Sequence, residues 1–168
     1  MLTIRSASIK DLDGITNIYN EAISKTVATF DTEEKSIDDQ KIWFQEHGPK
    51  NPIIVAEENG NILGWAALSK YSTRCAYSNT AEISLYIKDK YQGRGIGKKL
   101  MEKIIQEGKK AGLHVILARI TEGNEKSVYL HKSVGFEHVG VLKEVGMKFG
   151  KQLDVYLMQK IYKKIDRK

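Results

Sequence analysis

Apolar residues recur along this chain at two periods, and the changes between them mark out its elements. Leu2 to Ala7 reads as a short strand with Leu2 and Ile4 on one side. From Asp11 the spacing lengthens, so that Leu12, Ile15, Ile18, Tyr19, Ala22 and Ile23 share one face of a helix. Thr26 to Thr32 reads as a loop. Ser36-x-x-Asp39 has capping-box spacing before a second helix carrying Ile42, Trp43 and Phe44. Pro49 and Pro52 punctuate its exit. Pro52 to Glu58 and Asn61 to Leu68 then alternate around Asn59-Gly60, which predicts a β-hairpin. Tyr71 to Asn79 has no clear period and reads as a loop.

The pattern then becomes most regular. Ala81 to Ile87 is β-branched and aromatic, with apolar residues at Ile83, Leu85 and Ile87. Beyond Tyr91, a helical face forms from Ile96, Leu100, Ile104, Ile105, Gly108 and Ala111, opposite a face rich in Lys and Glu. Ala111-Gly112 supplies its stop. Val115 to Ile120 reads as a buried strand, Glu125 to Ser133 as a short helix ending at Gly135. Phe136 to Lys143 and Gln152 to Ile161 read as an antiparallel closing pair. No repeat, linker or low-complexity segment interrupts this order, which predicts one compact α/β domain over residues 1–168.

Between that strand and helix lies Gln92-Gly93-Arg94-Gly95-Ile96-Gly97-Lys98. Alternating glycines at a helix N-terminus permit tight turns and leave amide N–H groups uncovered. With the helix dipole, Arg94 and Lys98, they predict a site for a phosphate-bearing ligand. Two common phosphate loops are excluded by spacing. A nucleoside-triphosphate loop would need glycine at Gln92 and Ser or Thr at Lys99; a dinucleotide fingerprint would need glycine at Lys98.

Composition narrows the setting. The chain has 168 residues, 41% hydrophobic and 29% charged, which is ordinary for a globular protein. A lone Cys75 allows no internal disulfide, and no apolar run approaches membrane-spanning length; a cytoplasmic protein away from membranes is expected. The net charge of +6 admits nucleic-acid binding as one reading. The lysines are scattered, however, and much of the excess falls in Lys160, Lys163, Lys164, Arg167 and Lys168. A solvated tail plus affinity for an anionic cofactor accounts for the charge more simply, so no nucleic-acid partner is expected.

The six residues Gln92 to Gly97 resemble the pyrophosphate loop of the GCN5-related N-acetyltransferases. Asn124-x-x-Ser127-x-x-Leu130-His131-x-x-x-Gly135-Phe136 resembles a second signature of that family, with His131 at its usual tyrosine position. The resemblance implies an α/β (α+β) acyltransferase fold, a mixed central sheet flanked by helices. In that fold the two middle strands part beside a bulge in the fourth, opening a cleft for pantetheine. It also implies acetyl-CoA as co-substrate and no metal. The loop from Gln92 to Lys98, the backbone of Leu85, Tyr86 and Ile87, and Asn124 with Ser127 would then bind the cofactor. His131 takes either of two roles: an acid that protonates the departing thiolate, or a helix histidine packed at the domain edge.

Arg74-x-Ala76-Tyr77-x-x-Thr80-Ala81-Glu82 and Thr29-Phe30-x-Thr32-Glu33 are similar to the phosphinothricin/methionine sulfoximine acetyltransferase subgroup. The likeness runs from Ile4 to about Tyr156. It implies Glu82 as general base toward an α-ammonium, Arg74 and Tyr77 in a substrate loop, and Phe30 in the pocket wall. The plainer alternatives are a strand-edge salt bridge for Glu82 and a surface ion pair for Arg74. A homodimer is implied, with acceptor sites near its interface. The sequence departs from the subgroup at Ser72, Gln152 and Leu153, which weakens phosphinothricin as the acceptor more than acetyl transfer itself. The expectation is therefore an N-acetyltransferase acting on a small amino acid or analogue. Its rivals are a protein N-terminal or polyamine acetyltransferase and a non-catalytic CoA-binding sensor.

Overall fold

The computed structural model describes residues 1–163; Lys164, Arg167 and Lys168, counted above in the basic tail, lie outside the described residues. Its elements run β1 (Thr3–Ser6), α1 (Leu12–Lys25), α2 (Ile37–Gln45), β2 (Ile53–Glu58), β3 (Asn61–Lys70), β4 (Thr80–Ile87), α3 (Ile96–Lys110), β5 (Val115–Thr121), α4 (Glu125–Ser133), β6 (Glu137–Lys148) and β7 (Lys151–Ile161). The strands form one sheet in the order β1-β2-β3-β4-β5-β7-β6. Every neighbouring pair is antiparallel except β4 with β5, which are parallel.

Local chemistry accounts for the element ends. At α2, Asp39 N–H donates to Ser36 Oγ and Ser36 N–H to Asp39 Oδ2, each at 3.1 Å, the reciprocal box that the spacing predicts. Asn59 and Gly60 both take positive φ, the twist of a tight hairpin between β2 and β3. The predicted face of α1 buries Leu12, Ile15, Ile18, Ala22 and Ile23. That of α3 buries Ile96, Leu100, Ile104 and Gly108, with Met101 added.

The sheet separates two cores. Ala66, Leu68, Ala81 and Ile83 pack beneath α3 with Leu100 and Ile104. On the opposite face Trp65 and Ala67 meet Ile15 and Ile18 of α1, with Trp43 and Phe44 of α2 beside them. Helices thus cover both sides; β2 is apolar on both faces through Ile53–Ala56, whereas β4 buries Ala81 and Ile83 on one face and carries Glu82, Ser84 and Tyr86 on the other.

Two expectations are corrected. The β3–β4 register runs unbroken from Gly64↔Ile87 to Lys70↔Ala81, so no register break marks the bulge expected in the fourth strand. The strand expected to end at Lys143 continues to Lys148. Glu144 adopts φ 53° where the β6–β7 register shifts, and its N–H donates to Asp154 Oδ1 at 2.8 Å. Lys143 Nζ donates to the other Asp154 oxygen at 3.0 Å. One carboxylate on β7 thereby holds the irregularity, and the strand resumes beyond it.

Candidate active site

β4 and β5 pair only at Thr80↔Val115, Ala81↔Ile116 and Glu82↔Leu117. Beyond Glu82 they diverge, and Ile83 to Ile87 keep β3 as a partner but none in β5. Half of the backbone groups in such a stretch face away from β3 and offer donors and acceptors to a ligand strand. A cavity of about 670 Å³ opens in this split, between the end of α1, the start of α3 and α4.

Leu85, Tyr86, Ile87, Gln92, Gly93, Ile96, Gly97, Asn124, Ser127 and His131 all line the cavity. Arg94, Gly95 and Lys98 belong to the same loop and first helical turn but are not part of the lining. Gly93 and Gly95 take φ 77° and 78°, and a Cβ on either would meet no atom of the described residues within 4 Å. Conformation, not space, requires glycine there. Gly95 is the N-cap of α3, with no side-chain cap and no acid in the first turn. Lys98 and Lys99 stand there instead, an arrangement unfavourable to the bare helix pole and favourable to a bound anion. Arg94 rests 3.6 Å from Glu58 and 5.3 Å over the Tyr91 ring.

At the apex of the split, Arg119 Nε donates to Glu82 Oε1 at 2.7 Å and Nη2 to Oε2 at 2.5 Å. The Glu82 carboxylate raises the Arg119 pKa. Arg119 lines the cavity, whereas Glu82 stands at its edge. The strand-edge salt bridge weighed for Glu82 is therefore present, and each carboxylate oxygen still has a lone pair for another donor.

His131 is buried at 6% exposure, with its ring edge-on to Phe136. Nδ1 lies 2.6 Å from the Ser127 carbonyl, so this nitrogen carries the proton and donates it. Burial lowers the histidine's pKa, partly opposed by that hydrogen bond. The neutral form thus has its N–H committed, and donation from Nε2 requires a protonation that burial resists. Asn124 caps the same helix, its Oδ1 accepting from Ser127 N–H at 3.4 Å.

A model of the GNAT-type acetyltransferase domain matches residues 4–157. The chain belongs to the GNAT acetyltransferase family. It is 36% identical over 159 residues to an L-methionine sulfoximine/L-methionine sulfone acetyltransferase of Pseudomonas aeruginosa, covering 94% of this chain and 92% of that one. A phosphinothricin acetyltransferase from Sinorhizobium meliloti, solved with acetyl-CoA, superposes with a TM-score of 0.91 at 33% identity, covering 95% and 88% of the two chains. A ribosomal-protein-alanine N-acetyltransferase from Brucella melitensis gives a TM-score of 0.92 at 35% identity, covering 95% and 99%.

The GNAT chain is accordingly an acetyl-CoA-dependent N-acetyltransferase. Its cleft fits that co-substrate: an uncapped helix pole for phosphate lies beside a strand edge that can pair with an amide-bearing arm. The residues expected on the acceptor side are more scattered. Arg74 is exposed in the loop after β3, and Tyr77 stacks edge-on to Tyr71 at 5.2 Å; neither lines the cavity. Phe30 lies against β6, where a Cβ on Gly146 would come within 2.2 Å of its ring. Lys148, buried on the same strand, donates to the Thr29 carbonyl at 2.7 Å.

Sequence reasoning missed Arg119, although a charge between the buried Ala118 and Ile120 was a usable signal. It also missed the wall supplied by Thr26, Val27 and Ala28. Nothing in their composition marks them; they matter because α1 ends beside the split.

Proposed function

We propose that this enzyme acetylates the α-amino group of a small amino acid or analogue, of the methionine sulfone, methionine sulfoximine or phosphinothricin type. One observation carries the reading: Glu82 stands on the last paired rung before the strands part, beside a cleft suited to acetyl-CoA. The names of the Pseudomonas and Sinorhizobium relatives support the same acceptor class.

Bound acetyl-CoA supplies the acetyl group as a thioester. Glu82, directly or through one water, takes a proton from the acceptor's ammonium, freeing the nitrogen lone pair to form a C–N bond with the thioester carbonyl carbon; the C–S bond then breaks, and CoA leaves as a thiolate that takes up the second proton shed by the nitrogen. Arg119 holds the carboxylate in place from the facing strand. Backbone N–H groups in the unpaired part of β4 orient the acyl oxygen. The loop from Gln92 to Lys98, with Asn124 and Ser127 on the opposite wall, anchors the cofactor. Arg74 and Tyr77 serve the acceptor's carboxylate.

Those two residues lie outside the cleft of a single chain, which fits a homodimer with acceptor sites near its interface. β6 is an edge strand, and it and the following turn expose Val139, Val145, Met147 and Phe149. Sedimentation at micromolar concentration tests this; a monomer would remove the dimer reading. Exposed, unpaired Cys75 supports a reducing, cytoplasmic setting.

The deciding experiment is CoA release from acetyl-CoA against an acceptor panel. It includes phosphinothricin, methionine sulfoximine, methionine sulfone, common amino acids, a polyamine and a short peptide. Saturable turnover with the small analogues is expected. Turnover confined to peptide, which the name of the Brucella neighbour makes the second reading, would discard the amino-acid acceptor.

A further inference from the structure

A second cavity, of about 440 Å³, lies on the face of β3 and β4 that α1 and α2 cover. Cross-strand register explains the space. On this face Trp65 pairs with Tyr86, Ala67 with Ser84 and Ser69 with Glu82. Directly opposed residues share a face. The middle rung, Ala67 and Ser84, is small and leaves a hollow between two larger rungs. Trp65, Trp43 and Tyr19 wall it, with Trp43 and Tyr19 both edge-on to Trp65.

Three features tie this hollow to the reaction. Ser84 lines both cavities. Glu82 is two residues along the same face of β4, about 7 Å from Ser84 at strand spacing. One polar group in the wall also lacks a partner: among the described residues the buried Trp65 Nε1 has none, and the Gln40 side chain, on a residue 4% exposed, lines the same hollow. Buried polar groups ordinarily have partners.

We propose that this hollow is the acceptor's side-chain pocket, and that it takes an amino acid with an uncharged side chain whose apolar stem ends in a hydrogen-bond acceptor. The inference rests on the amino-acid reading above. A side chain seated over Ser84 leaves the α-amino group facing Glu82 and the acetyl-CoA cleft. The aromatic walls contact the stem, and the Gln40 amide donates to a terminal sulfone or sulfoximine oxygen. Asp31 and Asp39 outnumber Lys35 at this pocket, which disfavours the extra negative charge of a phosphinate.

Trp43 and Trp65 are the protein's only tryptophans and both line this pocket; because Trp65 also stacks on Tyr86 of the acetyl-CoA cleft, that cleft is filled first so that the indole signal reports on the pocket. With acetyl-CoA or CoA present, methionine sulfone is expected to give a saturable fluorescence change, and phosphinothricin a binding constant at least tenfold weaker. Gln40→Leu, close in volume, should raise KM for methionine sulfone about tenfold while KM for alanine and for acetyl-CoA stays put. Trp43→Ala should act in the same direction, with a melting scan confirming that both variants fold. Turnover of methionine sulfone without an indole response, with selectivity unchanged in both variants, would overturn the pocket and leave the acetyltransferase reading intact. Equal use of phosphinothricin and methionine sulfone would likewise overturn the charge preference. Turnover of peptide or polyamine alone would instead remove the amino-acid reading on which the pocket depends.

Discussion

Glu82 and Arg119 join β4 to β5 by two side-chain hydrogen bonds at the point where backbone pairing between those strands ends. The ion pair closes the inner end of the split and holds the carboxylate that the proposed chemistry uses. Glu82→Gln keeps shape and loses the base. Its kcat should fall about 10²–10⁴-fold, the usual worth of a positioned base, with acetyl-CoA affinity unchanged. Arg119→Lys keeps the charge but loses the paired geometry, and a smaller loss in kcat is expected. Steady-state kinetics with saturating acetyl-CoA separates the two; full activity in Glu82→Gln would end the base assignment.

Gly95→Ala tests the phosphate loop. Among the described residues nothing stands within 4 Å of the added Cβ, so the substitution acts through φ 78°. An L-residue held there costs about 1–2 kcal/mol. If the chain relaxes instead, the amides of the first turn lose their aim. Acetyl-CoA affinity measured by calorimetry should therefore drop at least tenfold, with acceptor KM little changed. Unaltered affinity would show that the loop is only a turn.

The difference between what was and was not legible in the sequence follows from range. The glycine loop, the Ser36–Asp39 cap and the Asn59-Gly60 turn are short-range demands of the backbone, so each was visible in a few adjacent residues. The split that forms the cleft was inferred from family likeness, and its expected bulge was absent because β3 and β4 keep one register throughout. The extension of β6 depends on Asp154 binding Glu144 across two strands, which no local pattern encodes. Likewise Ala67 and Ser84 are unremarkable until the hairpin register sets them side by side.

Stability should fall as pH drops below about 6.5. Burial lowers the pKa of both His47 and His131 from the usual value of 6.5. Above that pH both folded and unfolded chains keep these rings neutral. Below it, the unfolded chain binds protons that the folded one resists, so the equilibrium shifts toward unfolding. Asp11, whose carboxyl the Arg5 guanidinium holds below its usual 3.8, contributes only at lower pH. Melting temperature should therefore decline between pH 7 and pH 5, and His131→Phe should flatten part of that decline. An equally steep profile in His131→Phe would show that the ring titrates freely.

Lys148 pins the loop after α1 to β6, since its ammonium donates to Thr29 while Phe30 lies over Gly146. That loop continues from Val27 and Ala28 in the cofactor cleft, and its Asp31 reaches the second cavity. Lys148→Met removes one hydrogen bond, worth about 1 kcal/mol, and also a buried charge whose burial is itself costly. The two changes oppose each other, so the melting temperature should move little. The released loop should instead raise KM for the acceptor several-fold, leaving acetyl-CoA KM near its original value. Gly146→Ala reaches the same loop from the other side: its Cβ would lie 2.2 Å from the Phe30 ring, which must move. Overpacking of this kind costs about 1–3 kcal/mol, so a lower melting temperature should accompany the acceptor effect. If both variants keep the original acceptor KM, the loop's position does not govern acceptor binding.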